Sequence, residues 1–256
     1  MPAPRPLPPF PTFVIIGAQR CATRWLKVNL NKHPDIYAPP YEIDFWNDAE
    51  RRATWKMAGY RRKFDGWEGE PITGEASPSY MFYDKYAFEI GDRAKAMWRQ
   101  IPDVRLVAIV RDPVERIESA IRHYVKHRRL PRDFDIATHS NDPAYADLRL
   151  IQASQYASSL QPWLQRFGDQ LKIFFLEDIR DDPAGAYRDV LRHVGASDDF
   201  VPPGIDRVMF SSASTVSVRP LTPEQRWTLR GILRPSVEEL EAITGRDLSA
   251  WRDLTR

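Results

Sequence analysis

Two apolar runs, Phe13-Val14-Ile15-Ile16 and Val104-Arg105-Leu106-Val107-Ala108-Ile109-Val110, have almost no polar face, and each passes through a short basic loop into a helix-like stretch. A strand apolar on both sides must be covered on both sides, which points to a parallel sheet inside helical layers. Ile72–Glu75 and Leu171–Leu176 read as further strands. Trp25 to Asn31, Tyr86–Arg99, Tyr145–Phe167 and Ala184–Val194 read as helices. Another helix begins at Pro113, which suits a first helical turn, and carries Ile117, Ala120, Ile121 and Tyr124. Arg129 to Asp142 reads as a polar loop, Val201–Pro220 as a long irregular connection and Thr222–Thr244 as a closing helical region. The expected fold is α/β, a central mostly parallel sheet flanked by helices. Residues 1–12 form a Pro-rich arm of polyproline character, and residues 13–256 form a single domain. A chain of 256 residues, 43% hydrophobic, can bury one large core.

Charge and cysteine content exclude several classes. A net charge of +2 gives no general attraction to nucleic acid or an anionic membrane, so basic groups must act locally. Cys21 is the single cysteine, which rules out an intrachain disulfide or a Cys-rich metal site and points to a reducing, cytoplasmic setting. No apolar run reaches the length of a membrane span. Oligomeric state is not readable.

The first junction, Gly17-Ala18-Gln19-Arg20-Cys21-Ala22-Thr23-Arg24, has the layout of a P-loop: strand, tight loop, helix start, with amides and the positive helix end facing an anion. Ala22, Thr23 and Arg24 replace the Gly, Lys and Ser/Thr of the Walker pattern, so the loop suits phosphate without Mg²⁺. At the second junction Arg111 leaves the Val104–Val110 strand, and Ser119 lies about two helical turns further on. Taken alone, Arg111-Asp112 reads equally well as a local salt bridge. Beside the first loop, an arginine fork and a hydroxyl so placed suit a second phosphate.

Phe13 to Arg24 followed by Arg105 to Ser119 resembles the nucleotide-dependent sulfotransferases, in particular the branch of heparan sulfate sulfotransferases and their bacterial relatives. The resembling stretches are I-I-G-A-Q-R-C-A-T-R, H-P-D-I-Y-A-P-P-Y-E-I-D-F-W, G-E-A-S-P-S-Y and R-L-V-A-I-V-R-D-P-V-E-R-I-E-S-A, in the family's order. The resemblance implies 3′-phosphoadenosine 5′-phosphosulfate (PAPS) as donor, 3′-phosphoadenosine 5′-phosphate (PAP) as product and no required metal. The 5′-phosphosulfate is then expected on Arg20, Cys21, Ala22, Thr23, Arg24 and the helix start at Trp25, and the 3′-phosphate on Arg111 and Ser119. Arg20 falls where most relatives have a lysine that assists the leaving group. It keeps the charge, but a guanidinium does not readily give up a proton. Glu42 falls on the family's catalytic glutamate, with Asp44 as fallback base, and Tyr41 replaces a lysine and offers an aromatic face to the acceptor. Ser211 to Arg219 loosely resembles the loop over the donor's 3′ side, with Arg219 its best candidate.

The acceptor implied is a hydroxyl on a secondary metabolite, a lipid or a glycan. Glu75 and Tyr80, in G-E-A-S-P-S-Y, either face that acceptor or brace the loop. His123 and His127 stand at metal-compatible helical spacing without an evident third ligand, so His123 reads as an acceptor-side residue and no metal is expected. Two other readings use the same loop: a kinase-type phosphotransferase, and a nucleotide-binding protein that has lost transfer.

Overall fold

The computed structural model describes residues 7–47, 49–82, 90–139, 142–207 and 218–253. In chain order the first elements are β1 (Phe13–Gly17), α1 (Thr23–Leu30), β2 (Ile36–Tyr37), α2 (Ala49–Arg61, interrupted at Lys56) and β3 (Ile72–Ala76). Then come α3 (Ile90–Gln100), β4 (Arg105–Val110), α4 (Pro113–Lys126), α5 (Ile136–His139) and α6 (Tyr156–Phe167). The chain continues through β5 (Leu171–Phe175), α7 (Leu176–Asp181), α8 (Pro183–Val194), α9 (Pro223–Thr244) and α10 (Ser249–Arg252).

The five strands form one sheet in the order β2-β3-β1-β4-β5. β1 pairs in parallel with both β3 and β4, Phe13 lying opposite Gly74 on one side and Arg105 on the other, and β2 pairs in parallel with β3. All five residues of β1 and β3 are buried, as are five of the six in β4. The α/β parallel sheet read from the sequence is therefore the one observed.

Some elements differ from expectation. The helix read over Tyr145–Phe167 is broken into short 3₁₀ turns at Pro143–Leu148 and Gln152–Ser154, followed by α6. The break follows from Arg149, which ends the first turn with a left-handed φ of 41°. The polar loop between Arg129 and Asp142 contains the short helix α5, entered through Asp135, whose carboxylate accepts the Ala137 amide at 2.8 Å. The first residues of the Tyr86–Arg99 helix lie outside the described residues, as does half of the 201–220 connection, residues 208–217.

The chain, read from sequence as one domain after its N-terminal arm, divides into two compact units, Met1–Ile109 with Pro162–Arg207, and Val110–Gln161 with Val208–Arg256. The first unit holds the sheet through Ile109, with α1, α2, α3, α7 and α8. Gly17, at the end of β1, is a close-approach glycine: a Cβ there would lie 2.6 Å from the Met81 Cβ. That space lets the Met81 amide reach the Ile16 carbonyl at 2.8 Å, seating the 78–81 turn against the end of β1.

The second unit packs around Val114, Ile117, Ile121, Ile136, Leu229 and Leu233, which join α4, α5 and α9 in one apolar cluster. Asp112 caps α4 by accepting the Val114 and Glu115 amides at 2.8 and 3.1 Å. Its other oxygen accepts from Arg230 of α9 at 3.0 Å, both side chains being almost wholly buried, and Arg230 also donates to the Trp251 carbonyl. Removing one member of such a pair strands the other charge. Arg230→Met is expected to lower unfolding free energy by about 3–5 kcal/mol, measured by urea denaturation. Among the described residues no helix is long and apolar enough to cross a membrane.

Candidate active site

The turn after β1 is held to the sheet at its start and closed on itself further along. Ala18 donates its amide to the Ile109 carbonyl at 2.8 Å, and Cys21 closes back on the Ala18 carbonyl at 3.2 Å. Arg20 and Ala22 sit in the left-handed region, at φ 72° and 64°, where glycine is the usual residue. Non-glycine residues keep that conformation at a cost, and alternation of this kind turns main-chain N–H groups toward one concavity. Ala22 caps α1 without a side-chain acceptor, the arrangement that leaves first-turn N–H groups to a ligand. Cys21 is buried, its thiol directed to the Gln19 carbonyl. Thr23 is buried and Arg24 exposed at the helix start. Trp25 is buried, with its indole N–H donated to the Ile205 carbonyl at 3.0 Å, so its ring belongs to the core and its main chain to the helix start.

Beside this helix start lies a cleft of about 360 Å³ lined by Thr23, Arg24, Lys27 and Val28 of α1, by Pro40, Tyr41 and Glu42, and by Ala76 and Pro78. Glu42 is open to solvent at its rim. Crowding by the cleft walls raises its carboxyl above the ordinary value, Asp44 adds to the rise, and Lys27 opposes it. The Tyr41 hydroxyl donates to the Lys63 carbonyl at 2.9 Å, which fixes the ring at the cleft. Asp44 is committed elsewhere. One carboxylate oxygen accepts from the Ser79 hydroxyl at 2.6 Å and from the Asn47 amide at 3.0 Å.

The segment carrying Glu42 rests on a buried polar brace. The Ile43 and Asp44 amides both donate to the Ser77 hydroxyl, at 3.2 and 3.1 Å, and that hydroxyl donates to Glu75 at 2.9 Å. Glu75 is wholly buried and also accepts from the Tyr60 hydroxyl at 2.6 Å and the Tyr80 hydroxyl at 3.1 Å. Of the two sequence-level roles for Glu75 and Tyr80, the structure therefore places both in the brace. Tyr80, expected among the acceptor contacts, has no exposed surface from which to touch an acceptor.

Burial raises the Glu75 carboxyl from 4.5 to about 7 against the opposing effect of its three hydroxyl donors. The folded state then holds this proton more tightly than the unfolded chain does. Stability associated with Glu75 is complete below pH 4.5 and is lost as pH rises toward about 7. Glu75→Gln is expected to flatten that slope, measured as unfolding free energy against pH.

In the second unit Arg111 is 8% exposed, and its guanidinium meets Glu115 of α4 at 2.5 Å. Ser119, one turn beyond Glu115, is buried. His123 follows one turn later, its ring 4.4 Å from that of His127. Among the described residues no group of three or more His, Cys, Asp or Glu side chains is placed to hold a metal. Arg219 is exposed, and the rest of its expected loop, 211–217, lies outside the described residues.

The structure thus brings Thr23, Arg24, Tyr41 and Glu42 to one cleft, and places Arg111 just ahead of α4 and Ser119 in its second turn. Sequence reasoning missed Lys27 in the first group and Glu115 in the second. Both stand at helical spacing from residues already singled out, Lys27 one turn after Thr23 and Glu115 one turn after Arg111, and that spacing was the available signal.

A parallel sheet whose central strand runs through a left-handed basic turn into a helix start defines an α/β protein with a P-loop-like junction. The family model for the sulfotransferase domain matches residues 10–218, and the chain belongs to that family. Mouse heparan sulfate glucosamine 3-O-sulfotransferase 3B1 is 30% identical over 189 residues, covering 72% of this chain and 46% of that protein. Human heparan sulfate glucosamine 3-O-sulfotransferase 6 is 30% identical over 204 residues, covering 78% and 54%. The chain spans about half the length of these curated relatives. The crystal structure of a sulfotransferase from Alicyclobacillus acidocaldarius superimposes with a TM-score of 0.76 at 29% identity, covering 96% of this chain and all of that one.

Proposed function

We propose that this protein transfers a sulfuryl group from PAPS to a hydroxyl of a glycan, lipid or small-molecule acceptor, with PAP as the other product. The observation that carries this reading is the cleft in which Glu42 faces the start of α1 beside the basic turn. In-line transfer needs an acceptor oxygen aligned with sulfur, a group to take its proton, and positive charge where the phosphate departs. Glu42 takes the proton from the acceptor hydroxyl as its oxygen bonds to sulfur. The bond from sulfur to the bridging phosphate oxygen breaks, and its electron pair leaves with PAP. Arg20, Arg24, Thr23 and the main-chain amides of Ala22 and Trp25 hold the 5′ side and stabilise the departing phosphate, and Cys21, whose amide closes the turn on Ala18, shapes the loop that presents them. Arg111 and Ser119 hold the 3′-phosphate, with Arg219 as a further donor contact.

Asp44 is a poorer base than Glu42 because Ser79 and Asn47 already bind its carboxylate. Tyr41 and His123 serve the acceptor side, and the single buried cysteine supports a cytoplasmic setting. Calorimetric titration separates this reading from a kinase-type one. PAP is expected to bind tightly with or without Mg²⁺ and ATP·Mg²⁺ weakly; tight ATP·Mg²⁺ binding with no PAP binding would reverse the assignment.

A further inference from the structure

Lys27 shares the cleft with Glu42 and has no part in the roles assigned so far. It lies one turn into α1, half-buried, and its ammonium donates to the Pro40 carbonyl at 2.9 Å, two residues ahead of Glu42 in the chain. The helix that carries the donor-side residues Thr23 and Arg24 therefore also reaches across to the segment that carries the base. Resting on the reading of Glu42 as base, we propose that Lys27 is a positioning residue for the transfer: its ammonium ties the Glu42 segment to α1 through Pro40 and places a fixed cation in the cleft that Glu42 lines.

The surrounding charges agree with this geometry. Burial lowers the Lys27 ammonium, and Glu42 and Glu75 raise it, while Arg24 lowers it. On Glu42, loss of water against the cleft walls and the neighbouring Asp44 favour the protonated acid, and Lys27 acts to keep the carboxylate. Arg24 and Lys27 from α1, Asp44 from Glu42's own segment and Glu75 from β3 are the charged groups gathered around the pair. A base that reaches the acceptor already protonated is idle, so a nearby fixed cation extends the working range to lower pH.

The test is the pH profile of kcat/KM for wild type, Lys27→Gln and Lys27→Arg. Lys27→Gln removes the charge and ends one bond short of the ammonium position, whereas Lys27→Arg keeps both the charge and the reach to the Pro40 carbonyl. Lys27→Gln is expected to move the acid limb upward by about 1 pH unit, and Lys27→Arg to leave it in place. An acid limb that stays put in Lys27→Gln overturns the proposal. So does an equal loss of rate at every pH in both variants, since that is a tether without an electrostatic role. An acid limb that survives in Glu42→Gln refutes Glu42 as base and is separate from the pairing. The pairing has its own readout, because coupling between two titrating groups is reciprocal. In protein carrying ¹³C at the lysine ε-carbons, Glu42→Gln is expected to lower the Lys27 midpoint by the same about 1 pH unit, and an unchanged midpoint contradicts the pairing.

Discussion

Glu42→Gln is expected to lower kcat by about two to four orders of magnitude while PAP binds as in wild type. The amide keeps the size and most of the polar contacts of the carboxylate but cannot take a proton. Glu42 is open to solvent at the cleft rim, and no hydrogen bond essential to the brace passes through its side chain, so the fold survives the change. The loss should therefore fall on turnover, measured under saturating donor with PAP affinity followed in parallel. Near-normal turnover would move the base to Asp44, at the cost of detaching its carboxylate from Ser79 and Asn47.

The second large effect concerns the donor. Arg111 is nearly buried and held by Glu115, so its guanidinium is oriented before a ligand arrives. Arg111→Ala is expected to weaken PAP by about 2–5 kcal/mol, roughly 30- to 4,000-fold, the range for truncating one partner of a buried charge pair. A matched ligand makes the assignment specific. Adenosine 5′-phosphosulfate lacks the 3′-phosphate, so wild type and Arg111→Ala should bind it nearly alike. A variant that loses both ligands equally would show that Arg111 supports the site without holding the 3′-phosphate.

The parts legible in sequence were those in which one local signal decides the structure. β1 and β4 are apolar on both faces, and only a covered sheet can hold them. α4 announces itself through Asp112, which caps it, and Pro113 in its first turn. α2 was not legible, because only Gly59 and Tyr60 of its thirteen residues are buried and its apolar side chains follow no helical stripe. β2 has two residues and takes its identity from pairing with β3.

At the site the same division holds. The basic turn, Glu42 and Arg111 stand in contiguous motifs. The brace needs Ile43 and Asp44 to meet Ser77 across more than thirty residues, and Asp112 meets Arg230 across 118. Lys27 gains its place only when Pro40 folds back over α1. Such contacts depend on tertiary packing, which no short window of sequence contains. Arg230 also lies beyond residues 10–218, so the buried pair that anchors the Arg111 turn uses a helix outside the matched family region.

The most direct measurement is transfer from PAPS carrying labelled sulfate to a mixed panel of sugar, lipid and small-molecule alcohols, with PAP followed at the same time. The account predicts label in a sulfate ester, PAP formed in equal amount, and loss of both in Glu42→Gln. Tight PAP binding with no labelled ester on any acceptor, or label transfer undiminished in Glu42→Gln, would contradict it.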